Sequence, residues 1–146
     1  MRYEFDEIAF RNEFKSALKD VFADEYETLG TEVQVITNEY QKSTFPCCVV
    51  SILNPTSNTR YDDDEGSYHK INFSVNIDLY SKQLNGLTLE DSILKLSQIA
   101  INGLLKSYSN LSVTRNNRVP YSTDVFRKTI TLRGVYDVKN KIIYSN

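Results

Sequence analysis

Residues 70–79 alternate strictly between polar and apolar side chains, and this pattern constrains the fold more than any other feature. The apolar members occupy the odd positions: Ile71, Phe73, Val75, Ile77 and Leu79. A period of two places all five on one face of a β-strand. Because ordering ten residues of backbone costs at least as much free energy as this burial provides, the strand needs a helix packed on its apolar face.

Two segments have the period of an amphipathic helix. The first is about 20 residues long, begins near Asp6, and carries its apolar residues at four-residue steps: Phe10, Phe14, Leu18 and Phe22. The second covers residues 89–108. Asp6 and Thr88 are the predicted N-caps, and Gly30 is expected to end the first helix. Gly103, inside the second helix, predicts a close approach to the sheet.

Shorter segments complete the predicted fold. Strands are expected at residues 32–37, 47–53, 111–115 and 124–138, with a short edge strand at 142–144. The nearly continuous apolar run at 47–53 predicts a strand buried on both faces, by a helix or a neighbouring subunit. The polar residues at about 54–68 predict a flexible loop or hairpin arm. The chain is therefore predicted to be one α+β domain over residues 1–146. Its antiparallel or mixed sheet carries two α-helices on one face, in the order α-β-β-loop-β-α-β-β.

The sequence carries no pattern typical of catalysis or of cofactor and metal binding. His69 is the one histidine, and Cys47 and Cys48 point to opposite faces of a strand, so neither a redox pair nor a zinc site is expected. Residues 62–65 are all acidic but lack the spacing of a calcium loop. We therefore expect no enzyme activity, no cofactor and no metal. With no apolar stretch of about 20 residues and an acidic start, a cytosolic product is expected.

Charge is distributed unevenly along the chain. Residues 1–32 contain nine acidic and four basic residues, whereas residues 106–146 contain two acidic and eight basic ones. This asymmetry is compatible with nucleic-acid binding, with complementary surfaces in a head-to-tail oligomer, or with solvated faces alone. The basic candidates for nucleic-acid binding are Arg115, Arg118, Arg127, Lys128 and Arg133. A sequence pI of about 5.4 argues against tight binding of nucleic acid.

Several strings along the chain resemble the tail terminator (tail-completion) proteins of long-tailed bacteriophages and prophages. They are the N-terminal amphipathic helix, FPCCVVSI, NIDLYSK, and VTRNNRVPYSTDVFRKTITLRGVYD. The resemblance implies a structural virion protein that forms a ring, expected to be hexameric, on the head-proximal end of the tail tube. The ring stops tube growth, provides the docking surface for neck and head-completion proteins, and lets double-stranded DNA pass without sequence-specific contacts. The alternative is a head–tail connector or neck protein of the same phage neck.

The resemblance also implies partners, and the charges along the chain suggest sites. The expected partners are further copies of the chain, the tail tube protein and neck proteins, with no membrane, at the tail–neck junction of a virion assembled in the bacterial cytoplasm. Ring contacts between unlike surfaces suggest the acidic first helix and the basic last strand, with these interface residues: Phe10, Phe14, Glu25, Glu27, Arg127 and Arg133. The acidic loop is expected to line the lumen, where its carboxylates repel DNA, through Tyr61, Asp62, Asp63, Asp64 and Glu65.

Overall fold

The computed structural model describes residues 5–38, 41–42, 44–57 and 70–144. Its elements follow the predicted order, with one short additional helix. The helices are α1 (Glu7–Asp24), α2 (Tyr26–Leu29) and α3 (Leu89–Ser107). The strands are β1 (Gln34–Ile36), β2 (Cys47–Ser57), β3 (Lys70–Ser81), β4 (Ser112–Val119), β5 (Phe126–Asp137) and β6 (Ile142–Tyr144).

The described strands form one mixed sheet in the order β1-β2-β3-β5-β4, and β6 continues the β4 edge along β5. β1 pairs with β2 in parallel, and the other pairs are antiparallel. Both long helices pack on the same face of the sheet: α1 contacts β1 and β2, and α3 contacts β3 and β5. The predicted α+β class, with both helices on one face, is confirmed.

The central strand β3 confirms the alternation that predicts it. Its five odd-numbered apolar side chains are buried beneath the helices, and the intervening polar side chains are half-buried on the other face. β3 is hydrogen-bonded to β2 on one side and to β5 on the other along most of its length. One sheet face therefore holds the core, and no helix of the described residues covers the opposite face, which we call the helix-free face.

The helix ends follow the predicted capping residues. The backbone N–H of Ala9 donates to Asp6 Oδ1 at 3.0 Å, and that of Asp91 donates to Thr88 Oγ1 at 3.0 Å. These bonds satisfy donors that the first helical turn leaves unpaired. Gly30, with φ of 72°, ends α2 rather than α1, because the chain turns at Glu25 and forms one further helical turn.

The predicted approach of Gly103 to the sheet is wrong, because Gly103 faces α1. A Cβ atom at this position would lie 2.5 Å from both γ-methyl groups of Val21. Gly103 thus sets the distance between the two helices rather than the distance from α3 to the sheet.

The predicted burial of residues 47–53 on both faces is confirmed at the first residues of β2. Cys48 packs in the main core, whereas Cys47 packs in a second cluster on the helix-free face, with Val49 and Tyr80. Within the subunit, Phe45 and Val125, which precede β2 and β5, pack against the second cluster. The predicted arm at 54–68 falls partly in β2, and residues 58–68 lie outside the described residues.

Candidate functional site

A polar network occupies the middle of the helix-free sheet face. Asp78 Oδ1 accepts hydrogen bonds from Arg127 Nη2 at 3.0 Å and Nε at 3.3 Å, and from Thr129 Oγ1 at 2.6 Å. Two residues away along each strand, on the same sheet face, Thr131 Oγ1 donates to Asn76 Oδ1 at 3.0 Å. These side chains meet because β3 and β5 pair in a register that places Asp78 opposite Thr129 and Asn76 opposite Thr131.

Arg127 is therefore held within the subunit. Its guanidinium forms the ion pair with Asp78 and lies 5.4 Å from the centre of the Tyr80 ring. The side chain is 27% exposed. The role of Arg127 at an oligomer interface stays a prediction. Within the subunit, Asp78 already compensates much of the charge of Arg127.

The prediction that Lys128 shares one basic face with Arg127 and Arg133 is wrong. Lys128 points to the opposite side of β5, is 7% exposed, and donates from Nζ to Ser97 Oγ of α3 at 3.1 Å. Burial lowers the pKa of Lys128, and the nearby Glu90 carboxylate partly opposes that shift. Lys128 links the sheet to α3 and does not contribute to the helix-free face.

Exposed positive charge lies at the edge formed by β4 and β6. β4 and β6 both pair with β5 along this edge. On the helix-free side of the sheet, four exposed side chains therefore lie in a row: an arginine of β4, an arginine of β5 and two apolar residues of β6. We call these four residues the basic edge: Arg115, Arg133, Ile142 and Tyr144. Neither arginine has an ion-pair partner among the described residues. Arg118 differs, because it pairs with Glu90 of α3 and stacks over Phe126 on the other side of the sheet.

Acidic residues collect at the other side of the sheet. Between positions 20 and 32 the chain has five acidic residues and no basic one. We call this set the acidic surface: Asp20, Asp24, Glu25, Glu27 and Glu32. Four of the five are exposed and Glu25 is half-buried. Because α1 lies over β1 and β2, and Glu32 precedes β1 by two residues, the acidic surface lies at the opposite end of the strand order from the basic edge.

A groove of about 550 Å³ opens within the acidic surface, between the end of α1, α2 and the residues that precede β1. Its apolar lining includes Ala23, Val33 and the ring of Tyr26, which is 50% exposed. Asp20 and Glu32 also line the groove, together with Lys19. This combination of apolar walls and carboxylates suits a partner that carries apolar side chains flanked by cations.

Phe10 and Phe14 do not belong to any such surface, and their predicted role at an oligomer interface is corrected. They are 3% and 0% exposed, and their rings pack edge to face at 5.1 Å. Phe10 also packs against Phe73 of β3 at 4.8 Å. The apolar stripe of α1 is thus used by the subunit's own core. Glu25, Glu27 and Arg133 remain accessible, and their interface role stays a prediction.

The predicted lumen residues lie outside the described residues, as does His69: Tyr61, Asp62, Asp63, Asp64 and Glu65. Within the described ranges, no group of three or more His, Cys, Asp or Glu side chains is arranged to hold a metal ion. Burial raises the pKa of the Cys47 thiol to about 11 and that of Cys48 well above its usual range. Both thiols are therefore poor nucleophiles near neutral pH.

No helix in the described part of the chain combines the length and the apolar character needed to cross a membrane. Comparison with known proteins finds no matching family model and no matching curated protein.

Proposed function

We propose that this chain is a structural subunit of the tail of a long-tailed bacteriophage. In this proposal copies of the chain form a ring, with six as the expected number, on the head-proximal end of the tail tube. The ring stops growth of the tube, docks the neck proteins and surrounds the passing double-stranded DNA. The protein is a virion component of the tail–neck junction, and its role is assembly without catalysis.

One observation carries the proposal: opposite charges lie at opposite sides of a single sheet. A ring subunit needs two different surfaces that complement each other on successive copies, because a contact between identical patches closes a dimer instead. The acidic surface and the basic edge meet that requirement. The buried thiols and the ion-paired Asp78 supply structure rather than an exposed reactive group, which is consistent with an assembly role.

The test is a tube-capping assay with the tail tube protein from the same genome. Purified chain is added while that protein polymerises, and tube length and tube ends are recorded by negative-stain electron microscopy. The proposal expects shorter tubes, each with added density at one end only. Native mass spectrometry of released caps then counts the subunits.

Two results would contradict the proposed role as a tail terminator protein. Capping of isolated portal–connector complexes, with no effect on tube growth, would support the alternative, a head–tail connector or neck protein. Absence of binding to both tube ends and connectors would refute a role at the tail–neck junction altogether.

A further inference from the structure

We infer that the groove in the acidic surface is the docking site for the basic edge of the next copy. The inference deepens the proposed function, on which it rests, by naming the groove that receives the neighbouring subunit. It joins a pocket of about 550 Å³ on one copy to four exposed side chains on another.

The two surfaces match in chemical type. The groove offers the apolar surfaces of Ala23, Tyr26 and Val33, and the basic edge offers Ile142 and Tyr144, which are 48% and 38% exposed. Burying these apolar groups against one another removes them from water on both copies. A patch with an apolar centre and a polar rim is the usual organisation of a protein interface.

The charges match in sign. Arg115 and Arg133 lie at one end of the basic edge, next to its apolar residues, and Asp20 and Glu32 line the groove. Lys19 also lines the groove, where the two carboxylates outnumber its single ammonium group. An arginine pairs well with a carboxylate because its planar guanidinium donates two parallel hydrogen bonds. Since both arginines lack an ion-pair partner among the described residues, the next copy supplies what the subunit does not.

A second copy is the occupant because the same chain carries both halves of the match. The acidic surface and the basic edge lie at opposite sides of the sheet, so one subunit cannot close the contact on itself. Each docking event leaves one acidic surface and one basic edge exposed at the ends of the assembly, which allows the next copy to add.

Charge reversal on each side, and then on both, tests the inference. The first variant is Arg115→Glu/Arg133→Glu, the second is Asp20→Lys/Glu32→Lys, and the third combines all four changes. All four residues are exposed or at the rim, so the substitutions leave the core intact. Self-association of the full chain is measured by sedimentation velocity at about 10 to 200 µM protein and about 50 mM salt, where charge attraction is weakly screened.

Each double variant is expected to associate at least about tenfold more weakly than the wild type, because like charges then face each other. The fourfold variant is expected to recover the wild-type association, since both charges are reversed together. An equimolar mixture of the two double variants should also associate. Arg11→Glu/Arg118→Glu is the matched control, because it makes the same charge change as the first variant at two arginines outside both surfaces. Arg11 lies beside Ser51 and Ile52 of β2, and Arg118 lies on the helix side of the sheet. This control should associate like the wild type.

The inference is overturned if either double variant associates like the wild type, if the control weakens association equally, or if the fourfold variant fails to recover. A wild type that stays monomeric throughout this range also overturns it. None of these results bears on tube capping, so a chain that caps tubes but fails this test retains its proposed function with another contact. Circular dichroism of each variant confirms that a loss of association is not a loss of folding.

Discussion

Replacing Gly103 by alanine adds one methyl group at the crossing of α1 and α3, and the added atom meets Val21. It would lie 2.5 Å from each γ-methyl of Val21 and 3.1 Å from its Cβ, whereas carbon atoms pack at about 3.5 to 4.0 Å. Rotation of the Val21 side chain gives little relief, because a β-branched residue in a helix has one strongly preferred χ1 rotamer. The helices must therefore move apart.

The expected change in stability is the difference between two terms. Alanine is favoured over glycine inside a helix by about 1 kcal/mol, and overpacking of a well-packed contact costs about 1 to 3 kcal/mol. Gly103→Ala should therefore leave stability unchanged or lower it by up to about 2 kcal/mol. In a Val21→Ala background the obstructing methyl groups are absent, so the same substitution should raise stability by about 1 kcal/mol.

A double-mutant cycle measured by urea unfolding, followed by circular dichroism, isolates the contact. The cost of Val21→Ala itself cancels, and the coupling energy between the two sites should be about 1 to 3 kcal/mol. Comparing Asn102→Gly with Asn102→Ala, at the neighbouring exposed position of α3, measures the gain in helix propensity from glycine to alanine without the contact. Equal effects of Gly103→Ala in both backgrounds would refute the close crossing of the helices.

Three further predictions follow from the polar network, the buried lysine and the buried thiols. Arg127→Gln should lower the free energy of unfolding by about 1 kcal/mol, because Asp78 loses its charged donor; unchanged urea unfolding would contradict this. Burial lowers the pKa of Lys128 in the folded state, so the unfolded chain binds this proton more tightly. The free energy of unfolding of the wild type should therefore rise as the pH increases from the lowered pKa towards 10.5. Lys128→Met should lack that rise, and parallel pH profiles of the two proteins would argue against it. With the pKa of Cys47 near 11, about 0.1% of this thiol is ionised at about pH 8. Cys47 and Cys48 should therefore react with Ellman's reagent only as the protein unfolds. Rapid labelling of the native protein would contradict their burial.

Local patterns predict those elements whose burial alternates along the chain. β3 lies between β2 and β5 under the helices, so every second side chain is buried and the period of two is complete. β4 has the opposite situation: it is an edge strand, and its residues are exposed from Ser112 to Arg118. Without burial on either face there is no selection for alternation, and only residues 111–115 were predictable as a strand.

The candidate surfaces depended on contacts that the sequence does not display. The apolar stripe of α1 predicts that one side of the helix is buried. It does not predict whether the subunit's own sheet or a partner covers that side. In the structure, Phe10 and Phe14 face the subunit's own sheet. Arg127 and Arg133 share one side of β5, but only the pairing of β3 with β5 places Asp78 within reach of Arg127. Knowledge of that register was needed to separate a compensated arginine from an uncompensated one.

The arrangement of charge also favours one kind of assembly over others. Two basic edges repel each other, and so do two acidic surfaces, so contacts between identical patches are disfavoured. The arginines on β4 act in addition against unspecific pairing at an exposed strand edge. The attractive pairing that remains joins unlike surfaces, which produces a closed ring or an open helical array and no symmetric dimer. In the proposed assembly each contact combines a few apolar side chains with screened charges, so single contacts are expected to be weak. A ring gains stability when its last contact closes without further loss of translational freedom. We expect such a subunit to be monomeric below the concentrations of the self-association test and to assemble where a template gathers several copies.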